Sequence, residues 1–252
     1  MPQPLSRVTP NPGQIRWSAD VISDKPQIAI IVAEIIALSS TIDHHMSLLL
    51  SRILKTRTGP VIAVMARLQT QGLQRVALDA AAQSSLSADD YRIFKSAFGA
   101  VETAQTGRHK VAHWIWGSAS NIPGAVLMVD PTEFNSVAAS AEAEFWGWQD
   151  AQENQKQIYA SKIYVFNEDA FARFKRDLIE AEEIMRALGH FLNPSEPLSA
   201  SIKNPGIVAL LSRLSPQTRE GSLQKLSSLR LFREALGRMD AVAKNTPRFP
   251  SE

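Results

Sequence analysis

The 252-residue chain contains no cysteine. Disulfides, thiolate-bound zinc and thiol nucleophiles are excluded together, and the absence fits a reducing compartment. Also missing are a Walker loop and a G-x-S-x-G elbow, the usual cradle for a triphosphate and the usual seat of an activated serine. The amino-terminal stretch MPQPLSRVTPNPGQIRW lacks the apolar run of a signal peptide. The longest apolar span, residues 28–50, is interrupted by Glu34, Asp43, His44 and His45. A central Asp costs ~2.5–3.5 kcal/mol in a bilayer, so the span reads as an amphipathic helix and the protein is expected in the cytoplasm, off the membrane. A net charge of +2 is too small to announce a nucleic-acid binder. No internal repeat is present.

The composition itself, 44% hydrophobic and 21% charged, supports a packed core. Charge is unevenly spread. Residues 203–252 hold nine Lys and Arg against four Asp and Glu, a balance of +5, while the preceding 202 residues carry 18 − 21 = −3. A tail of this kind either contacts phosphates or is simply solvated surface.

Hydrophobic spacing predicts a mainly helical protein. A first helix spans about 27–55, with Ile31, Ile35, Leu38, Ile42, Leu49 and Ile53 on its stripe, and Thr58-Gly59-Pro60 stops it. A second covers about 60–84. Ser87 caps a third, whose stripe of Tyr91, Phe94, Phe98 and Val101 continues through Gln105 to Arg108. Gly107 reads as a break, so the stretch TGRHKVAHWIW is expected to open a fourth helix. Residues 118–124 form a loop, and 125–129 and 163–166 read as short strands that could pair. A polar helix is expected around 133–158, and Asn167 caps a long final core helix ending at Asn193-Pro194. Prolines 194, 197 and 205 then mark a linker to two amphipathic pieces, about 205–214 and 216–243. The expected domains are an extended, proline-rich arm (1–24), a helical domain with a small inserted β element (25–193) and a basic helical extension (194–252).

Potential chemistry is concentrated in residues 106–116. His109 and His113 have the i, i+4 spacing of a zinc-binding helix, but the general-base position after the first histidine holds Lys110, so no metal or other cofactor is expected. Arg108 and His113 suit a different reaction. Metal-free RNA cleavage needs a proton taken from the ribose 2′-OH, a proton given to the leaving oxygen, and a fixed cation on the phosphate. Histidine transfers protons near neutrality, and arginine offers forked donors to phosphate oxygens. Five residues turn a helix through about 140° beyond a full turn. The two groups therefore converge if Arg108 precedes the helix, or if two chains bring their copies together across a two-fold axis.

The R-x-x-x-x-H stretch from Arg108 to His113, with a polar His109 after the arginine, resembles the signature of HEPN domains. The segments AEIIALSSTIDHHMSLLL and VFNEDAFARFKRDLIEAEEIMRAL are similar to HEPN-like proteins that carry AHW or AHG after the motif. The resemblance covers about residues 25–193. It implies an antiparallel helical bundle whose motif lies near the start of a late core helix, and a homodimer whose two motifs form one metal-independent endoribonuclease site. Such proteins act as toxins, antiviral effectors or RNA-processing factors, some with a neutralising protein partner. By this resemblance Arg108 binds the scissile phosphate, His113 is the general acid/base, and His109 orients the pair. The accessory candidates are Asp43, His45, Lys110 and Trp114. Each also has a structural reading: His45 as a satisfied core histidine, and Trp114, Trp116, Trp146 and Trp148 as packing rather than base-stacking rings. His190, near a helix C-terminus, needs no function. Two other classes remain open: a non-catalytic HEPN-like dimer binding RNA, a nucleotide or a protein partner, and a metal-dependent enzyme.

Overall fold

The computed structural model describes residues 2–68, 71–135, 159–193 and 218–245. The protein is mainly helical with one antiparallel sheet, as expected. The described residues form two compact units, 1–38 with 105–176 and 39–104 with 177–252.

The first unit is built on a five-stranded sheet in the order β1 (Gln3–Pro4), β5 (Ile163–Phe166), β4 (Val126–Val129), β3 (Ile115–Ala119), β2 (Ile15–Trp17). Strands β4 and β5 do pair, with Leu127 opposite Val165. The β element is nevertheless larger than the sequence indicated. The expected arm of residues 1–24 is not free: it supplies both edge strands, β1 against β5 and β2 against β3, and a short helix α1 (Leu5–Val8) between them. Both edges are short, which limits pairing with other chains. The central strand β4 is buried at all four residues, so both of its faces are covered. Leu127 and Val129 join Leu5, Ala119 and Ile163 in one cluster, against which Trp17 and Phe134 pack. Phe166, Phe171 and Phe174 gather in a second cluster, with ring centroids 5.6–6.4 Å apart.

The second unit is helical. Helix α2 (Pro26–Ile53) buries Ile42, Met46, Leu49 and Ile53 here, and it ends where Lys55 adopts a left-handed conformation (φ 50°). Thr58-Gly59-Pro60 lies in the first turn of α3 (Thr58–Arg67). The single helix expected over 60–84 is two helices: α3 stops at Arg67 and α4 (Gln71–Ser85) follows. The Gln74 side-chain amide donates to the carbonyls of Met65 and Leu68, which holds the end of α3. Val76, on α4, is 66% exposed. Helix α5 (Ala88–His113) begins as predicted, with Ser87 Oγ accepting from the Asp90 amide at 3.2 Å. Asp90 does not close a capping box; its carboxylate pairs with Arg219 instead.

Asn167 caps α6 (Glu168–Leu192) by accepting from the Ala170 amide at 3.0 Å. Phe171, Leu178, Met185 and Leu188 are buried on its stripe, as the spacing required. Beyond it, α7 (Arg219–Ser228) and α8 (Arg230–Asn245) belong to the second unit and are not a separate extension. Their cations answer acidic side chains of that unit. Arg230 meets Asp177 at 2.5 Å and Glu180 at 3.3 Å, Lys225 meets Glu183 at 2.8 Å, and Arg92 pairs with Asp240. The helices expected at 133–158 and 205–214 lie, except for residues 133–135, outside the described residues.

By length and composition alone α2 could cross a membrane, and 22% of its most apolar window is buried. Ile30 and Ile36 are exposed, and Glu34 is paired with Lys175 at 2.7 Å.

Candidate functional site

The stretch 106–116 does not open a helix. Helix α5 runs through Gly107 to His113, and a single residue, Trp114, separates it from β3. The motif therefore lies at the end of a helix, not near the start of one. Gly107 is present for closeness rather than to break the helix: a Cβ there would sit 2.6 Å from ring atoms of Phe174. Removing that methyl lets α6 bring its aromatic cluster against the last turns of α5.

A continuous helix sets the geometry of the candidates. Arg108 and His113 point about 140° apart and do not converge within one chain. His109 and His113, one turn apart, do share a face: their ring centroids are 4.7 Å apart, the planes are inclined at 48°, and both side chains are exposed. Arg108 is half-buried, and its Nε is buried without a hydrogen-bond partner.

Lys110 is half-buried, its ammonium 4.8 Å from the Trp114 ring centroid and 6.0 Å from that of Tyr164. Burial lowers its pKa from the ordinary 10.5, and the faces of the two rings stabilise the cation there. Trp114 also meets Phe166 edge-on at 6.3 Å. Trp116 is a packing residue. It stacks on Phe171 at 5.7 Å and 9°, and its Nε1 donates to the Val111 carbonyl. Trp146 and Trp148 lie outside the described residues.

The structure adds Asp130, which sequence reasoning missed. It follows β4 directly, and because Val129 pairs with Ile115 it lies beside the end of α5. Its carboxylate accepts from the amide and hydroxyl of Thr132 at 2.9 and 2.6 Å. These bonds, with a smaller contribution from His109, hold its pKa below the usual 3.8. The Asp-Pro-Thr triplet closing a strand was the available signal, an Asx turn with a carboxylate held open to solvent.

The accessory candidates Asp43 and His45 belong to the other unit. There His45 is half-buried with Nε2 3.7 Å from Glu182. Burial lowers its pKa more than Glu182 raises it. Among the described residues no three His, Cys, Asp or Glu side chains gather as metal ligands.

Comparison with protein-family models, with curated proteins and with solved structures returned no match.

Proposed function

We propose that the protein is a homodimeric, metal-independent endoribonuclease of the HEPN type, acting as a toxin or defence component that a protein partner could neutralise. The observation that carries this reading is the pair of solvent-facing imidazoles, His109 and His113, at a helix end that also holds Arg108. Imidazoles exchange protons near neutral pH, and a guanidinium binds a phosphate oxygen through its fork. His113 takes the 2′-OH proton or returns one to the leaving 5′ oxygen, so cleavage leaves a cyclic phosphate and a free 5′-OH. Arg108 neutralises the charge that builds on the phosphate, and His109 orients the reacting group.

Because one helix turns Arg108 and His113 apart, the pair is assembled from two chains facing across a two-fold axis. The buried, unpartnered Nε of Arg108 leaves donor capacity at that position. The half-burial of Arg108 equally favours a second reading, a HEPN-like dimer that binds RNA, a nucleotide or a protein without cleaving.

The test is cleavage of RNA by the purified chain in EDTA. The expected result is undiminished activity with EDTA and a loss of at least about 100-fold in Arg108→Ala and in His113→Ala, with unchanged circular dichroism. Equal cleavage by wild type and both variants refutes the reading. Absence of cleavage with RNA binding retained selects the second.

A further inference from the structure

The helical second unit carries a group of basic side chains that the proposed reaction does not use. Arg52 stands in the last turn of α2 and His190 in the last turn of α6. The Arg52 guanidinium rests on the backbone of Gly189, where a Cβ would collide with Nη1. Glycine at 189 thus makes a seat for the guanidinium. Arg52 is half-buried, and burial alone perturbs it; no carboxylate contributes. Its five N–H donors have no acceptor among the described residues.

Glu182 and Glu183, on the same helix as His190, are already engaged. Glu182 is shared between His45 at 3.7 Å and Arg186 Nε at 3.4 Å, and Glu183 meets Lys225 at 2.8 Å. Arg52 and Arg186 both act on His190 with positive charge. Two helices end here, and their C-terminal carbonyls carry partial negative charge. Arg219, donating to the Phe191 carbonyl, takes up part of it at α6. What remains is one permanent cation and one titrating imidazole without a counter-ion among the described residues.

The geometry points to an oxyanion site in which Arg52 and His190 together hold a phosphate dianion, free or as a monoester. A planar fork matches two phosphate oxygens, and the imidazole supplies a further N–H. A phosphate of charge about −1.5 to −2 can draw a proton onto His190 and so engage both groups, whereas a carboxylate or a phosphodiester, with one charge, needs Arg52 alone. Partial burial strengthens the attraction relative to open water.

The experiment is calorimetric titration of the full chain with inorganic phosphate, phenyl phosphate, dimethyl phosphate and acetate, with the His190 ring followed by NMR. Saturable binding of phosphate and phenyl phosphate is expected, with dimethyl phosphate and acetate at least about tenfold weaker, and the His190 resonances shifting on binding. Binding of inorganic phosphate without phenyl phosphate identifies free phosphate as the ligand and still supports the site. Arg52→Met is expected to weaken binding about tenfold or more, and Arg52→Lys severalfold because the fork is lost. Gly189→Ala keeps both cations but displaces the guanidinium, so it also weakens binding, and with Arg52→Lys it decides the matter if Arg52→Met does not fold. No saturable phosphate binding, equal binding of acetate, or unchanged binding in folded Arg52 variants overturns the proposal. The readout is binding, so its outcome is independent of RNA cleavage.

Discussion

Adding one methyl group to Gly107 sets two effects against each other. Alanine is a better helix former than glycine by about 1 kcal/mol, but the new Cβ would lie 2.6 Å from the Phe174 ring. Overpacking of that kind costs about 1–3 kcal/mol, so Gly107→Ala is expected to lower the urea midpoint, and adding Phe174→Leu to recover part of the loss. A rise in the midpoint would mean that packing there is slack. A second residue-scale expectation concerns pH. Burial holds His45 and His190 below the ordinary 6.5. As pH falls below that value the unfolded chain binds protons before the folded one does. Stability is therefore full above about 6.5 and declines towards the folded pKa values. Thermal melts from pH 7 to pH 5 should show Tm falling, and His190→Asn should flatten the slope.

At the scale of elements, the caps decide where the long helices begin. Asn167→Ala removes the acceptor of the Ala170 amide and is expected to cost about 1 kcal/mol in chemical denaturation. Ser87 and Asn167 were legible because capping is local: side chain and amide lie three residues apart. The stripes of α5 and α6 were legible for the same reason, since spacing along one helix reports its buried face. The continuation of α5 through Gly107 was not, because the deciding atom belongs to Phe174, 67 positions further on (174 − 107). Strand β3 (Ile115–Ala119) was hidden by the same error, its first residues read as helix and its last two as loop. The division between α3 and α4 depends on Gln74 reaching back to two carbonyls, which no periodicity encodes. Of the candidate site, the i, i+4 spacing of His109 and His113 was legible, and Lys110 and Trp114 lie in the same stretch. Asp130 was not, because only sheet pairing brings it beside them.

At the scale of the whole molecule, a composite site makes a prediction that single variants do not. If Arg108 of one subunit serves His113 of the other, mixing Arg108→Ala with His113→Ala chains creates heterodimers with one intact pairing. Refolded equal mixtures should regain about a quarter of wild-type cleavage, as random pairing places half of the chains in heterodimers with one of two pairings intact. No recovery would place the pair within one chain, which the continuous helix does not permit. The charge of the tail has a similarly global answer. Arg219, Lys225 and Arg230 meet Asp90, Glu183 and Asp177, so the +5 of residues 203–252 is partly answered within the helical unit.

The order of synthesis gives the sheet a further consequence. Gln3 is made well before its partner Val165, and Ile15 waits for Ala119. Pairings so distant along the chain form slowly, since the intervening segment must be ordered before they contribute. Residues 3–17 thus emerge from the ribosome as an unmatched ribbon, and any factor that holds them early holds the closing seam of the sheet open.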